Sequence, residues 1–243
     1  MDNSKSFIER FYNRLIAPET IKICGYAVMG LYLGLVFIGV LIAIFLGPDG
    51  YMITTHYISD LGSIKTTPAP YLYDIACICA GIFTIPFIYF LEKHIAPIPR
   101  KSDDLPAPHR WNYRLLSWAF FSSMFGSIFY IGVGIFSADR DIAGLHTVCS
   151  FGAFGGFTFA AIFLGLALIF LKQNIVFKPL NYPLGLIGVF LPITIAVYNL
   201  IYGGPLLEWL LLFAILIWII PLFLLTLRYI EKIEKEQTPK VNE

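Results

Sequence analysis

Charge is what this chain has least of. Only 14% of its 243 residues are Asp, Glu, Lys or Arg and 58% are hydrophobic, whereas soluble domains carry roughly 25% charged residues. A water-borne globule of this composition has too little polar surface to cover itself. An excess of either sign is missing as well. Seventeen cations and sixteen acids leave a formal charge of +1, so there is no basic excess to argue for a nucleic-acid partner. Cysteine is sparse: Cys24, Cys77, Cys79 and Cys149 lie in or at the ends of apolar runs, so no outer-loop set exists from which to build a disulfide framework. The two-residue alternation of a membrane barrel is absent, and so is a cleavable leader. The first apolar run begins at Cys24, is too long for a signal core and lacks a small-residue cleavage site, so it is expected to remain as an anchor.

What the chain does have is apolar length. Mean hydropathy is +0.75, and six runs, 24–46, 71–91, 115–136, 147–171, 182–201 and 206–227, each match the roughly 20 residues that one bilayer crossing needs. Hydrocarbon offers no partner to a free backbone amide, so each run must be helical. The expected fold is an all-α integral membrane bundle of six helices. Its expected organisation is an amphipathic interfacial helix over 1–20, a six-span domain over 21–230 and a polar tail over 231–243.

Orientation follows from the cations. Fifteen of the 17 Lys and Arg residues fall in the termini and even-numbered connections, and only Lys65 and Arg140 fall in the others. By the positive-inside rule both termini are expected in the cytoplasm of a cell-membrane protein. Before the first span, Phe7, Ile8, Phe11, Tyr12, Leu15 and Ile16 recur at helical spacing opposite Glu9, Arg10 and Arg14, the pattern of a helix lying on the inner leaflet or packed beneath the bundle. Within the spans, Gly30 and Gly34 form a small-xxx-small pair, and Gly152, Gly155, Gly156 and Gly165 give the fourth span a smooth side for close packing. Pro86, Pro192 and Pro221 interrupt spans two, five and six. The stretch Glu92 to Arg114, with four prolines, reads as an extended inner connector in which His94 and His109 are solvated.

The outer side collects the acids. Asp49, Asp60, Asp74, Asp139, Asp141 and Glu208 lie there with His56 and His146, and ionisable groups near membrane depth point to a functional site. Asp74 with Cys77, and His146 with Cys149 and Ser150, each share one helix face. A divalent metal held by Asp74, His146 and Asp139 is one arrangement these faces allow; capping, with the cysteines packed as small apolar residues, is the other. No His-Glu-x-x-His spacing supports the metal. In the first outer loop, Ser59 and Asp60 can cap a short helix and Gly62 can supply a positive φ. The chemical alternative makes Asp60 a general base or metal ligand with His56 or His146 beside it, and adds Ser59 to the candidate catalytic set.

The segment Ile58-Ser59-Asp60-Leu61-Gly62 resembles the signature of a prokaryotic family of six-span membrane proteins of unknown function marked by an Ile-Ser-Asp-Leu-Gly motif. Gly134-Ile135-Phe136, Asp139 and His146 also resemble that family, with Ser137 in place of an expected proline. With Pro68 and Pro70 following, the first motif is more distantly similar to the DRAM-like and FRAG-like six-span proteins, a group linked to autophagy and lipid-anchor remodelling. The resemblance implies a fold rather than a reaction. Cys149-Ser150-Phe151-Gly152 lacks the Gly-x-Ser-Gly of a rhomboid-type protease, and no span carries the central histidines of a haem bundle.

Three functions are therefore expected in competition. One is an accessory or structural membrane protein whose polar cluster braces its loops, in contact with membrane lipids and with a membrane-protein partner or a second copy of itself. Another is an outward-facing lipid-modifying or hydrolytic enzyme, and the last is a small-molecule transporter.

Overall fold

The computed structural model describes residues 6–95, 107–171 and 173–237. The first five residues, the middle of the inner connector at 96–106, Lys172 and the tail beyond 237 lie outside the described residues. What is described is all-α, with six helices long and apolar enough to cross a membrane. We number the helices α1 (Phe7–Leu15), α2 (Pro18–Leu46), α3 (Tyr71–Ile95), α4 (Ala107–Ile135), α5 (Leu145–Phe170), α6 (Asn181–Tyr202) and α7 (Pro205–Gln237). Each of α2 to α6 packs on its successor, and α7 touches α5, α6 and α2, which closes the bundle.

Helix ends extend past the hydropathy limits. Pro18 opens α2 six residues before the apolar run because a first-turn proline sacrifices no helical hydrogen bond. At the opposite ends, α3 continues through Glu92 to Ile95, α4 begins before Arg114, and α7 carries its charged residues to Gln237. The connector is thus helical at both flanks rather than extended throughout. His94 is half-buried rather than fully solvated: its ring stacks on Phe90 at 4.0 Å and its Nδ1 meets the Phe90 carbonyl at 2.8 Å. The side chain of His109 lies outside the described residues.

Ser6 and Glu9 cap α1 reciprocally, each side chain bonding the other's backbone N–H at 3.2 and 2.9 Å. No residue of α1 is buried, and Phe7, Ile8 and Phe11 face outward. At this same end Lys22 of α2 meets Glu234 of α7 at 2.5 Å.

Glycines determine which helices approach. A Cβ on Gly156 of α5 would lie 2.5 Å from the backbone of Gly126 on α4. Gly165 of α5 and Gly185 of α6 each present a carbonyl 2.7 Å from where the other's Cβ would stand. Asn181 adds a hydrogen bond of 3.0 Å from Nδ2 to the Leu168 carbonyl, so α5 and α6 are pinned at the end that carries the termini. Gly30 and Gly34, by contrast, meet nothing within 4 Å, so the small-xxx-small pair of the first span makes no contact in the monomer. Gly155, toward the other end of α5, also faces open space.

This distribution predicts a pair of outcomes. Gly156→Leu should overpack the α4–α5 contact and cost about 1–3 kcal/mol, read as a lowered midpoint of thermal unfolding in detergent. Gly34→Leu should leave that midpoint unchanged or raise it, since the side chain enters open space and leucine favours helix by about 0.8 kcal/mol over glycine.

Candidate functional site

Three hairpin connections meet at the end of the bundle opposite the termini. The first, between α2 and α3, contains a 3-10 turn over Ile58–Gly62. Ile58 and Leu61 sit on the inner side of that turn, each 1% exposed, and join Tyr51, Tyr73, Trp209 and Leu212 in one apolar cluster. Fully burying two such side chains is worth about 3–6 kcal/mol, and it fixes the direction of every polar group on the turn. Asp60 caps its own turn, accepting the Tyr57 N–H at 2.7 Å. Gly62 does not use a positive φ. Its lack of a side chain matters for another reason: a Cβ there would stand 3.1 Å from Asp74 Oδ1 and 3.2 Å from the Tyr73 ring.

The rest of the loop is tied by side chains. Tyr51 donates its hydroxyl to the Tyr57 carbonyl at 2.9 Å, and burial pushes this phenol above the ordinary tyrosine range. Trp209 Nε1 of α7 reaches both the Tyr51 hydroxyl and the His56 carbonyl at 3.2 Å. His56 stacks on Tyr51 at 5.1 Å, and its Nδ1 accepts the Met52 N–H at 3.3 Å. The second connection, between α4 and α5, is clamped to the first by Asp139. Its carboxylate accepts the Ser63 hydroxyl at 2.7 Å and the Ile64 N–H at 2.5 Å. One residue on, Arg140 donates from Nη2 to Asp74 Oδ2 at 2.6 Å and to the Gly134 carbonyl at 3.3 Å. Asp141 accepts the His146 N–H at 2.9 Å and so caps the start of α5.

A different set lines a cavity of about 560 Å³ between the start of α5, the end of α6, the start of α7 and the 3-10 turn. Near the loops it presents Ser59, His146, Thr147, Ser150, Asn199 and Glu208. Deeper in, it is walled by Phe151, Phe154, Gly155, Ala196 and Leu211, while Leu200 stands beside Asn199 near the loop end of α6. From His146 to Gly155 the helix rise gives a depth of about 14 Å. The cavity follows from the glycine contacts: α6 is held against α5 at Gly165 and Gly185 and diverges toward Gly155, where nothing fills the gap.

Two groups in this cavity are unusual. His146 is 8% exposed, and its Nδ1 stands 2.6 Å from the Phe136 carbonyl. A carbonyl only accepts, so Nδ1 carries the proton, and in the neutral ring Nε2 bears a lone pair. That Nε2 is buried and has no hydrogen-bond partner. Glu208, one turn into α7, lies against the backbone amides of Ile58 and Ser59, and its Oε1 is also buried and unpartnered. Orphaned buried polar atoms of this kind cost about 1–3 kcal/mol each.

Of the residues expected to act together, only Ser59 and His146 share the cavity. Asp60, His56, Asp74 and Asp139 are engaged in loop contacts, and among the described residues no group of three or more His, Cys, Asp and Glu side chains is placed to hold a metal ion. Cys77 and Cys149 do not join the cavity either. Cys77 is buried among Tyr32, Tyr73 and Tyr130, and Cys149 packs on Gly132. Glu208 was grouped with the outer acids but carried no role in the sequence reading. Its signal was an acid one turn inside an apolar run on the cation-poor side.

The chain belongs to the family described as "Protein of unknown function (DUF998)", which matches residues 31–225. No curated protein and no solved structure matches it.

The Asp139 clamp should be separable from the cavity. Asp139→Ala strands the Ser63 hydroxyl and the Ile64 amide, and should cost about 2 kcal/mol, within the 1.5–3 typical of hydrogen bonds to a charged group. Protease cleavage in the 47–70 loop should accelerate accordingly. Arg140→Ala leaves Asp74 unpaired and should cost about 1–2 kcal/mol, less than a fully buried pair because the guanidinium is 59% exposed. Unchanged unfolding midpoints in both variants would remove the bracing role.

Proposed function

We propose that this multi-pass membrane protein binds a membrane amphiphile in the cavity between α5, α6 and α7, as an accessory protein of the cell membrane with both termini in the cytoplasm. One observation carries the reading. A cavity of about 560 Å³, within the range of small-molecule sites, is apolar at depth and polar at its mouth, and its lining includes His146 and Glu208, whose buried Nε2 and Oε1 have no hydrogen-bond partner. That gradient is the gradient of a lipid lying along a helix. The orientation is supported by the 15 cations gathered at the other end, and the exposed apolar face of α1, with Arg10 and Arg14, is suited to lie on the inner leaflet. We further propose that Ile-Ser-Asp-Leu-Gly is a signature of the family and that the distant similarity to DRAM-like and FRAG-like proteins reflects a shared loop device.

A second reading, hydrolysis of a lipid ester, is favoured by the His146 ring itself. With Nδ1 held by a backbone carbonyl, Nε2 of the neutral ring carries the lone pair that a general base needs, on a residue that lines the same cavity as Ser59.

Gly155→Trp tests the binding reading, because the indole enters open cavity rather than neighbouring backbone. Lipid extracted from the purified wild-type protein should include a species present at near one per chain, and this species should be lost from the variant while its unfolding midpoint is kept. Equal lipid content in the two proteins would overturn the proposal. His146→Gln separates the readings: binding should weaken only several-fold, whereas product formation from a lipid panel, if the enzyme reading holds, should vanish.

A further inference from the structure

We infer that the amphiphile bound in this cavity has a head that ends in an ammonium group. The inference deepens the binding reading above and rests on it. Among the described residues, two of the buried atoms left without partners belong to side chains that line this cavity, and both can accept a hydrogen bond. In the neutral ring His146 Nε2 presents a lone pair, with the Nδ1 proton directed at the Phe136 carbonyl, and Glu208 Oε1 is an acceptor when its carboxyl group is ionised. A head that donates hydrogen bonds satisfies both, and a head that only accepts satisfies neither.

Charge narrows the class further. No Lys or Arg lines the cavity. Arg140, the cation of the second connection, is turned to Asp74 and the Gly134 carbonyl. A phosphate or carboxylate head would therefore enter beside the Glu208 carboxylate with no cation to offset it, and like charges in a site of reduced dielectric repel strongly. An ammonium reverses that sign. It brings three donors, enough for Glu208, His146 and one of the lining hydroxyls or the Asn199 amide, and charge-assisted bonds of this kind are about twice as strong as neutral ones. Serine, threonine and asparagine around the mouth complete a lining suited to a small polar head, while Phe151, Phe154 and Leu211 accept the chain.

The test uses the full chain in a neutral polyoxyethylene detergent, with hexadecylamine, hexadecanol and hexadecyl phosphate as probes and native mass spectrometry as the readout. The amine should bind at least tenfold more tightly than the alcohol and the phosphate, and in Glu208→Gln its advantage over the alcohol should fall below threefold with no change in unfolding midpoint. The wild-type comparison alone decides the matter if that variant does not fold. Equal or tighter binding of the phosphate or the alcohol would overturn the inference, as would an undiminished amine preference in a folded Glu208→Gln. If the alcohol or phosphate binds best and Gly155→Trp abolishes that binding, the cavity reading stands and only the head class fails. Binding of no probe would overturn both.

Discussion

The burial of Ile58 and Leu61 is the constraint on which the loop end of this protein depends. Two apolar side chains driven into the cluster around Tyr73, Trp209 and Leu212 seat the first connection on the bundle. Alternate residues of the same short turn must then face elsewhere. Asp60 closes the turn, Gly62 allows Asp74 and Tyr73 to come close, and Ser59 is left facing the cavity. The five-residue motif is thus a plug with three different edges. Asp139 and Arg140 carry the anchoring to the second connection, Asp139 through Ser63 and Ile64 just beyond the turn and Arg140 through Asp74 of α3.

The polar end consequently divides into two populations. Asp60, Asp139, Asp141 and His56 are engaged by loop amides, a hydroxyl and a ring face, and Asp74 pairs through Oδ2 with Arg140 while its Oδ1 stays buried without a partner. Native structures pair buried polar groups wherever they can, which makes the exceptions informative. His146 Nε2 and Glu208 Oε1 are exceptions that border one cavity, and that cavity exists because α5 and α6 are pinned by glycine contacts at one end only. The helix packing and the chemistry are in this sense one feature: filling the gap at Gly155 would remove the site, and tightening the contact at Gly165 and Gly185 would not create it.

The bundle was legible in the sequence because a membrane span averages hydropathy over some twenty residues, a signal that no single substitution obscures. Helix ends were not, since the hydropathy stops at the lipid boundary while the helix at Glu92 or Arg228 continues into water. At the site, local sequence identified the neighbourhood and could not separate its members. Asp60 as a cap and Asp60 as a base look the same in a loop of Ser, Asp and Gly, and only the 2.7 Å bond from Tyr57 distinguishes them. Helix faces suggest the grouping of Asp74 with His146 and Asp139, whereas no spacing rule points to Arg140, which pairs with Asp74 from 66 residues away. Asn199 was out of reach for the same reason, and Glu208, legible as an acid near membrane depth, could not be assigned to a cavity made by helices that no spacing rule relates.

The central claim is that an amphiphile occupies the wedge between α5, α6 and α7. It is tested most directly by a density map of the protein reconstituted in nanodiscs of native membrane lipid. Elongated density running from His146 and Glu208 down toward Gly155 and Leu211 is the predicted result. A wedge collapsed by movement of α6 onto Gly155, or one holding only isolated water along its length, would contradict the account.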